Sequence, residues 1–199
     1  MKYTDQEAFA SHQLVLLDIA SRVNKPVLEL GAGYSSTKQI HDLLEEKKIK
    51  MVTVEQNIEW VVKFIYLSSD LHAVRYYNDA NIKMFYDDDK EEWGLVFIDN
   101  GTWEARHMAI KKYKDTADYV ILHDCDFFPG YNYFGKSYSP INPEKHDTGV
   151  RDYSDVFKYW IEFFVDGWEA NEPPTLLGSN KICLDDIVID GMMIANRNK

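Results

Sequence analysis

Cysteine is scarce in this chain. Of 199 residues only Cys125 and Cys183 are cysteine, and they stand far apart with no C-x-x-C spacing. That excludes a zinc knuckle and a disulfide framework, and it fits a reducing, cytoplasmic setting. Positive charge is also in deficit, with 22 Lys and Arg against 33 Asp and Glu, a formal net charge of −11. Binding to a phosphate backbone runs on clustered Lys and Arg, so no nucleic-acid partner is expected. No stretch approaches the roughly 18 apolar residues needed to span a bilayer, and no basic segment at the N-terminus leads into an apolar one. A soluble, unprocessed chain with no membrane partner is the expectation. Internal repeats are absent, and the acidic run from Asp87 to Glu92 reads as a solvated loop. What is abundant is core material, 45% hydrophobic and 14% aromatic, enough for one domain over residues 1–199.

The hydrophobic pattern alternates between helix and strand. Thr4-x-x-Glu7 is a capping-box pattern, and Phe9, Leu14, Leu16, Leu17, Ile19 and Ala20 give an apolar face to an N-terminal helix within residues 1–23, stopped by Asn24-Lys25-Pro26. Strands are predicted near Pro26–Leu30, Lys50–Glu55, Ala73–Tyr77, Leu95–Asp99 and Tyr119–His123. Helices near Ser36–Lys47, Ile58–Leu67, Ile82–Phe85 and Thr102–Tyr113 separate them. That order specifies an α/β fold, a Rossmann-like, doubly wound, mostly parallel sheet with helices on both faces. Residues 125–150 lapse into a Pro- and Gly-punctuated loop carrying Phe127, Phe128, Tyr131, Tyr133, Phe134 and Tyr138, which reads either as an acceptor-binding lid or as a minor core. Asp155–Val165 has the spacing of an amphipathic helix. Thr175–Leu177, Ile182–Leu184 and Ile187–Ala195 add two or three strands as an antiparallel hairpin at the edge, seven strands in all. The N-terminal helix and the aromatic loop are candidate surfaces for a homo-oligomer.

The most informative segment runs from Val27 to Thr37. It puts Glu29, then Gly31 and Gly33, between an apolar run and a helix. Glycines there permit a tight turn and close approach of a ligand to the backbone, the layout of a nucleotide-type site. Charge selects among cofactors. A dinucleotide brings a pyrophosphate to the helix N-terminus, where Glu29 would repel it, and the third glycine of G-x-G-x-x-G is replaced by Ser36. S-adenosylmethionine carries an ammonium and a sulfonium and no phosphate, so it suits Glu29. A plain strand and turn with incidental glycines is the bland reading of the same residues.

Functional residues of such sheets gather at the carboxyl ends of the strands. Glu55 ends the second strand, where an acid can accept from both ribose hydroxyls; otherwise it is a surface glutamate. Asn78-Asp79-Ala80 follows the third strand, placed to reach an adenine amine or to make an Asx turn. Asp99 ends the fourth strand before Asn100-Gly101, and His123-Asp124-Cys125-Asp126 ends the fifth. With these residues the chain resembles the class I S-adenosylmethionine-dependent methyltransferases over about residues 26–126. The resemblance implies that Glu29, Gly31 and Gly33 hold the methionine part, Glu55 the ribose and Asp79 the adenine, with Asp99 lining the methyl-transfer site. Phe97-Ile98-Asp99-Asn100-Gly101 with Arg106, then Ile121-Leu122-His123-Asp124, is similar to small-molecule and sugar O-methyltransferases, which often read Asp-Gly where Asn100 intervenes here. A small-molecule or sugar hydroxyl is then the acceptor, and the Asn/Asp-Pro-Pro-Tyr motif of amino-methylating nucleic-acid enzymes is absent.

Methyl transfer to a hydroxyl requires alignment and removal of a proton. His123 is the candidate base, with Asp99 and Asp124 beside it; a strand-end histidine satisfied by backbone is the alternative. Asp99, Asp124 and Asp126 are also hard oxygen ligands suited to Mg²⁺. His146, Asp147 and Arg151 could face the acceptor. Two rival functions remain. An NAD-dependent oxidoreductase or epimerase is opposed by Glu29, by Ser36 and by the lack of a Tyr-x-x-x-Lys pair near the fifth strand. The other is a non-catalytic S-adenosylmethionine-binding partner subunit.

Overall fold

The computed structural model describes residues 10–125, 153–165 and 174–198. In chain order it has α1 (Gln13–Arg22), β1 (Val27–Leu30), α2 (Thr37–Lys47), β2 (Met51–Glu55) and α3 (Ile58–Phe64), continued by a 3₁₀ turn (Ile65–Leu67). Then come β3 (His72–Tyr76), α4 (Ile82–Asp88), β4 (Leu95–Ile98), α5 (Trp103–Tyr113), β5 (Tyr119–Leu122), β6 (Tyr159–Val165), β7 (Thr175–Ser179) and β8 (Met192–Arg197). All eight strands form one sheet in the order β3-β2-β1-β4-β5-β7-β6-β8. Strands β1 to β5 are parallel, and β7 is antiparallel to both β5 and β6. The doubly wound α/β fold thus stands, with eight strands where seven were expected. The thread reverses between β1 and β4, which opens a crevice at their carboxyl ends.

Strand alternation sorts the core into two layers. On β4, Leu95 and Phe97 join Leu16, Ile19, Ile40 and Leu44 under α1 and α2. Val96 and Ile98 join Ile82, Phe85, Ala109 and Tyr113 under α4 and α5. β1 is buried at every position, so Glu29 is enclosed on the α1/α2 face opposite Leu28 and Leu30. Local chemistry fixes the helix starts: Asn57 Oδ1 accepts from Glu59 N (2.9 Å) at α3, and the Thr102 hydroxyl accepts from Ala105 N (3.2 Å) at α5.

The helix expected over Asp155–Val165 is corrected. Turns occupy residues 154–156, and β6 is a strand flanked by β7 and β8. Its run Tyr159–Val165 is apolar at almost every position because both faces are covered, Trp160 in one core layer and Ile161 and Phe163 in the other. A short continuous apolar run carries no period that separates strand from helix, and two flanking ladders decide it. Phe157 packs so closely over β7 that a Cβ on Gly178 would fall 2.5 Å from its ring. Ile182–Leu184 forms no strand, and β8 starts only at Met192. The capping box at Thr4 and the aromatic loop lie outside the described residues. No described helix is long and apolar enough to cross a membrane.

Candidate functional site

The turn between β1 and α2 is built to approach β4. Gly31 has φ +93°, and a Cβ there would stand 2.4 Å from the Asp99 carbonyl oxygen and 2.8 Å from Asn100 N. Only glycine fits, both for its left-handed backbone and for that contact. Gly31 N donates to Val54 O (2.9 Å), which seats the turn beside the end of β2.

The N–H groups of Ala32, Gly33, Ser36 and Thr37 in this turn are bonded within the protein. Ala32 N donates to Glu55 Oε2 (2.7 Å), and Gly33 N donates to the Thr37 hydroxyl (2.9 Å). Ser36 N and Thr37 N both donate to Gly33 O. Glu55 also accepts from Asn57 N through Oε1 (2.6 Å), so its carboxylate is held rigidly where β2 ends. Each oxygen retains acceptor capacity for a hydroxyl donor.

Sequence reasoning set Glu29 against the cofactor's positive groups. The structure buries it completely, beneath the turn rather than in the crevice. Register pairs Glu29 with Thr53 on β2, whose hydroxyl donates to Oε2 (2.8 Å), and Thr37 donates to Oε1 (3.2 Å). Glu29 therefore acts on Gly33 through Thr37, as a brace. Thr53 meets His72 Nε2 (2.8 Å), and His72 Nδ1 lies 3.0 Å from His41 Nδ1. Burial raises the Glu29 carboxyl to about 7, against the opposing hydrogen bonds from Ser36, Thr53 and Thr37. A carboxyl raised on folding stabilises the fold below its unfolded value, and that contribution is lost as pH climbs from about 4.5 to about 7. Replacing Glu29 by Gln is therefore expected to stabilise the protein by about 1–3 kcal/mol at pH 8 and by almost nothing at pH 5. Thermal unfolding at the two pH values checks this, and an equal gain at both would contradict the burial argument.

Gln56 links three strand ends. Its Oε1 accepts from Asn100 Nδ2 (2.8 Å), and its Nε2 donates to Asp79 Oδ1. Asp79 is exposed on the rim. Gln56 carried no motif, and only its position after Glu55 could have drawn attention to it.

Asp99, His123 and Asp124 converge around Arg106 from α5. The guanidinium donates to Asp99 Oδ1 (2.9 Å), to the carbonyls of His123 and Asn100 (2.9 Å each), and to Asp124 Oδ2 (3.4 Å). Asp124 sits at φ 54°, a left-handed turn that returns its carboxylate to this group. His123 is buried, with Nδ1 3.2 Å from Asp99 Oδ1 and Nε2 3.2 Å from Ser11 Oγ and 3.4 Å from Asp124 Oδ1. Burial pulls the His123 imidazole down, but Asp99 and Asp124 outweigh it and leave its pKa raised. Burial alone would lift Asp99; His123 and Arg106 hold it below the usual carboxylate range.

Nothing in this arrangement supports the Mg²⁺ expectation. Arg106 lies between Asp99 and Asp124, where a hard cation sharing both would have to sit, and Asp126 is outside the described residues. So are His146, Asp147, Arg151 and the loop aromatics. Two residues that sequence reasoning missed complete the cluster, Ser11 and His12, just ahead of α1. His12 is buried against Phe97 and edge-on to His123, with ring centroids 4.8 Å and 4.4 Å away. Burial, then the neighbouring His123, lowers its pKa to about 3, so it is neutral.

No protein-family model matches the chain, and no curated protein matches it. Solved structures do. A Thermobifida fusca protein inferred to be a methyltransferase aligns over 87% of this chain and 81% of its own, with a TM-score of 0.56 and 9% identity. Monomeric WbdD aligns over 90% of this chain with a TM-score of 0.51 and 15% identity, but over 42% of its own length. The chain thus spans less than half of WbdD. At such identities the likeness establishes the fold.

Proposed function

We propose that this chain, which has the class I methyltransferase fold, binds S-adenosylmethionine and methylates a hydroxyl of a small molecule or sugar. The observation that carries the reading is that the N–H groups of Ala32 and Gly33 in the glycine turn are engaged by the protein's own acceptors. A pyrophosphate needs such N–H groups free to donate. Here Glu55 and the Thr37 hydroxyl take those of Ala32 and Gly33, and a second anion beside Glu55 would be repelled. A cofactor with hydroxyls to donate and positive rather than negative charge fits this acceptor-rich rim, and NAD does not.

On this reading Glu55 accepts the ribose hydroxyls, and Asp79 with Gln56 borders the base. Bound S-adenosylmethionine supplies a methyl group already activated on sulfonium. The residues then have two tasks, to orient the acceptor and to hold its proton. Asp99 and Asp124 are the partly exposed members of the cluster, while His123 behind them is 4% exposed at its side chain. The acceptor hydroxyl accordingly meets a carboxylate first, and the Asp99–His123 pair takes the proton. The acidic character of the chain suits a neutral or cationic acceptor better than a polyanion.

Calorimetric titration with S-adenosylmethionine, S-adenosylhomocysteine and NADH tests the cofactor assignment. Micromolar binding of the first two and none of NADH is expected. Binding of NADH alone would overturn the assignment in favour of redox chemistry.

A further inference from the structure

We propose that His12, Asp99 and His123 form a binding site for a divalent transition-metal ion of the Zn(II) class, at the carboxyl ends of β4 and β5. One ligand atom from each residue lies within 4.8 Å of the others. The set is nitrogen-rich, two imidazoles and one carboxylate, which suits a borderline ion and disfavours Mg²⁺.

His12 supplies the second observation. It is 3% exposed, yet neither ring nitrogen has a hydrogen-bond partner among the described residues. A buried imidazole without partners is costly, and such a group calls for an explanation. Its edge-on contact with His123 leaves it beside the Asp99–His123 pair rather than in an apolar layer of its own.

His123 is oriented as a ligand would be. Its Nε2 side faces Ser11 Oγ (3.2 Å) and Asp124 Oδ1 (3.4 Å), the outer hydrogen-bond partners that fix a metal-binding imidazole. That turns Nδ1 toward Asp99, 3.2 Å from Oδ1. Two ligands each about 2 Å from a tetrahedral ion stand a little over 3 Å apart, so this pair is already at ligand spacing, and His12, within 4.8 Å, has only to move in toward it on binding. Arg106 bonds the same carboxylate, as outer groups commonly do for ligating carboxylates. Charge favours an ion as well. Among the described residues, Asp99 and Asp124 set two carboxylates around one guanidinium, a negative excess of one when an ion holds both histidines neutral. Asp99 is partly exposed, so the fourth position opens toward the crevice, as in a catalytic rather than a structural metal site.

The test uses the full chain after dialysis against a chelator, titrated with Co(II) alone and followed by visible absorption, with Zn(II) as competitor. One equivalent is expected to bind with the intense d–d bands of a four-coordinate ion, and Zn(II) should displace it. His12→Gln should weaken binding by about 100-fold, while His107→Gln, a buried histidine on α5 away from the cluster, should leave it unchanged. Circular dichroism shows whether each variant is folded. Failure of the wild-type chain to bind a stoichiometric ion overturns the site, and so does unchanged affinity in folded His12→Gln. Equal displacement of Co(II) by Mg²⁺ would also overturn it, since that marks an oxygen-only site. No arm requires S-adenosylmethionine, so the outcome stands apart from the cofactor assignment.

Discussion

Glu55→Ala is expected to weaken S-adenosylmethionine binding by at least about 100-fold, because it removes two charge-assisted acceptors at once, each worth roughly 1.5–3 kcal/mol. The carboxylate is set by Ala32 N and Asn57 N before any ligand arrives, so its geometry carries no ordering cost on binding. Loss of the side chain also frees Ala32 N, and the turn then presents a donor where the cofactor offers donors. Glu55→Gln should fall between, since its amide oxygen still accepts while its NH₂ faces Ala32 N or a hydroxyl with the wrong polarity. Calorimetry measures the affinities, and thermal unfolding shows whether the turn survives. Unchanged affinity in a folded Glu55→Ala protein would dismiss the ribose assignment.

The parallel half of the sheet was legible because its strands are short apolar runs bounded by strong punctuation. Asn24-Lys25-Pro26 precedes β1, Gly31 follows it, and Asn100-Gly101 follows β4. Strand-end placement then located Glu55, Asp79, Asp99, His123 and Asp124 by topology alone, since side chains at the ends of parallel strands must face one rim. Glu29 shows the limit of that logic. A charge argument needs to know which face of the strand a residue occupies, and β1 is buried on both, so only the pairing with Thr53 revealed that Glu29 braces the turn from beneath. β6 was misread for a related reason: its aromatic run fits helix or strand until the neighbouring ladders are known. Ser11 and His12 were invisible because they enter the site across more than a hundred residues of sequence, and no local pattern encodes such a contact.

Arg106 is the residue whose loss should cost the fold most. Its guanidinium ties the ends of β4 and β5 together through two backbone carbonyls and two carboxylates while only 8% exposed. Arg106→Met would leave Asp99 and Asp124 as like charges in a partly buried cluster, and would leave the Asn100 and His123 carbonyls without this donor. Removing one partner of a buried pair typically costs 3–5 kcal/mol, which for a chain of this size lowers the unfolding temperature by roughly 8–15 °C. The sign with pH follows from Asp99. Its pKa is held down in the fold, so its contribution is present above the unfolded carboxylate value and is lost as pH falls through the lower folded value. The Arg106→Met penalty should therefore be largest near neutral pH and shrink in acid, where the carboxylates are neutral without help. Arg106→Lys should recover less than half of the loss, because one ammonium cannot serve Asn100 O, His123 O and Asp99 in the fixed directions of a planar fork. Thermal unfolding from about pH 2 to pH 8 gives both quantities. A penalty below about 1 kcal/mol, or full rescue by Lys, would mean that these strand ends are held by packing and not by the guanidinium.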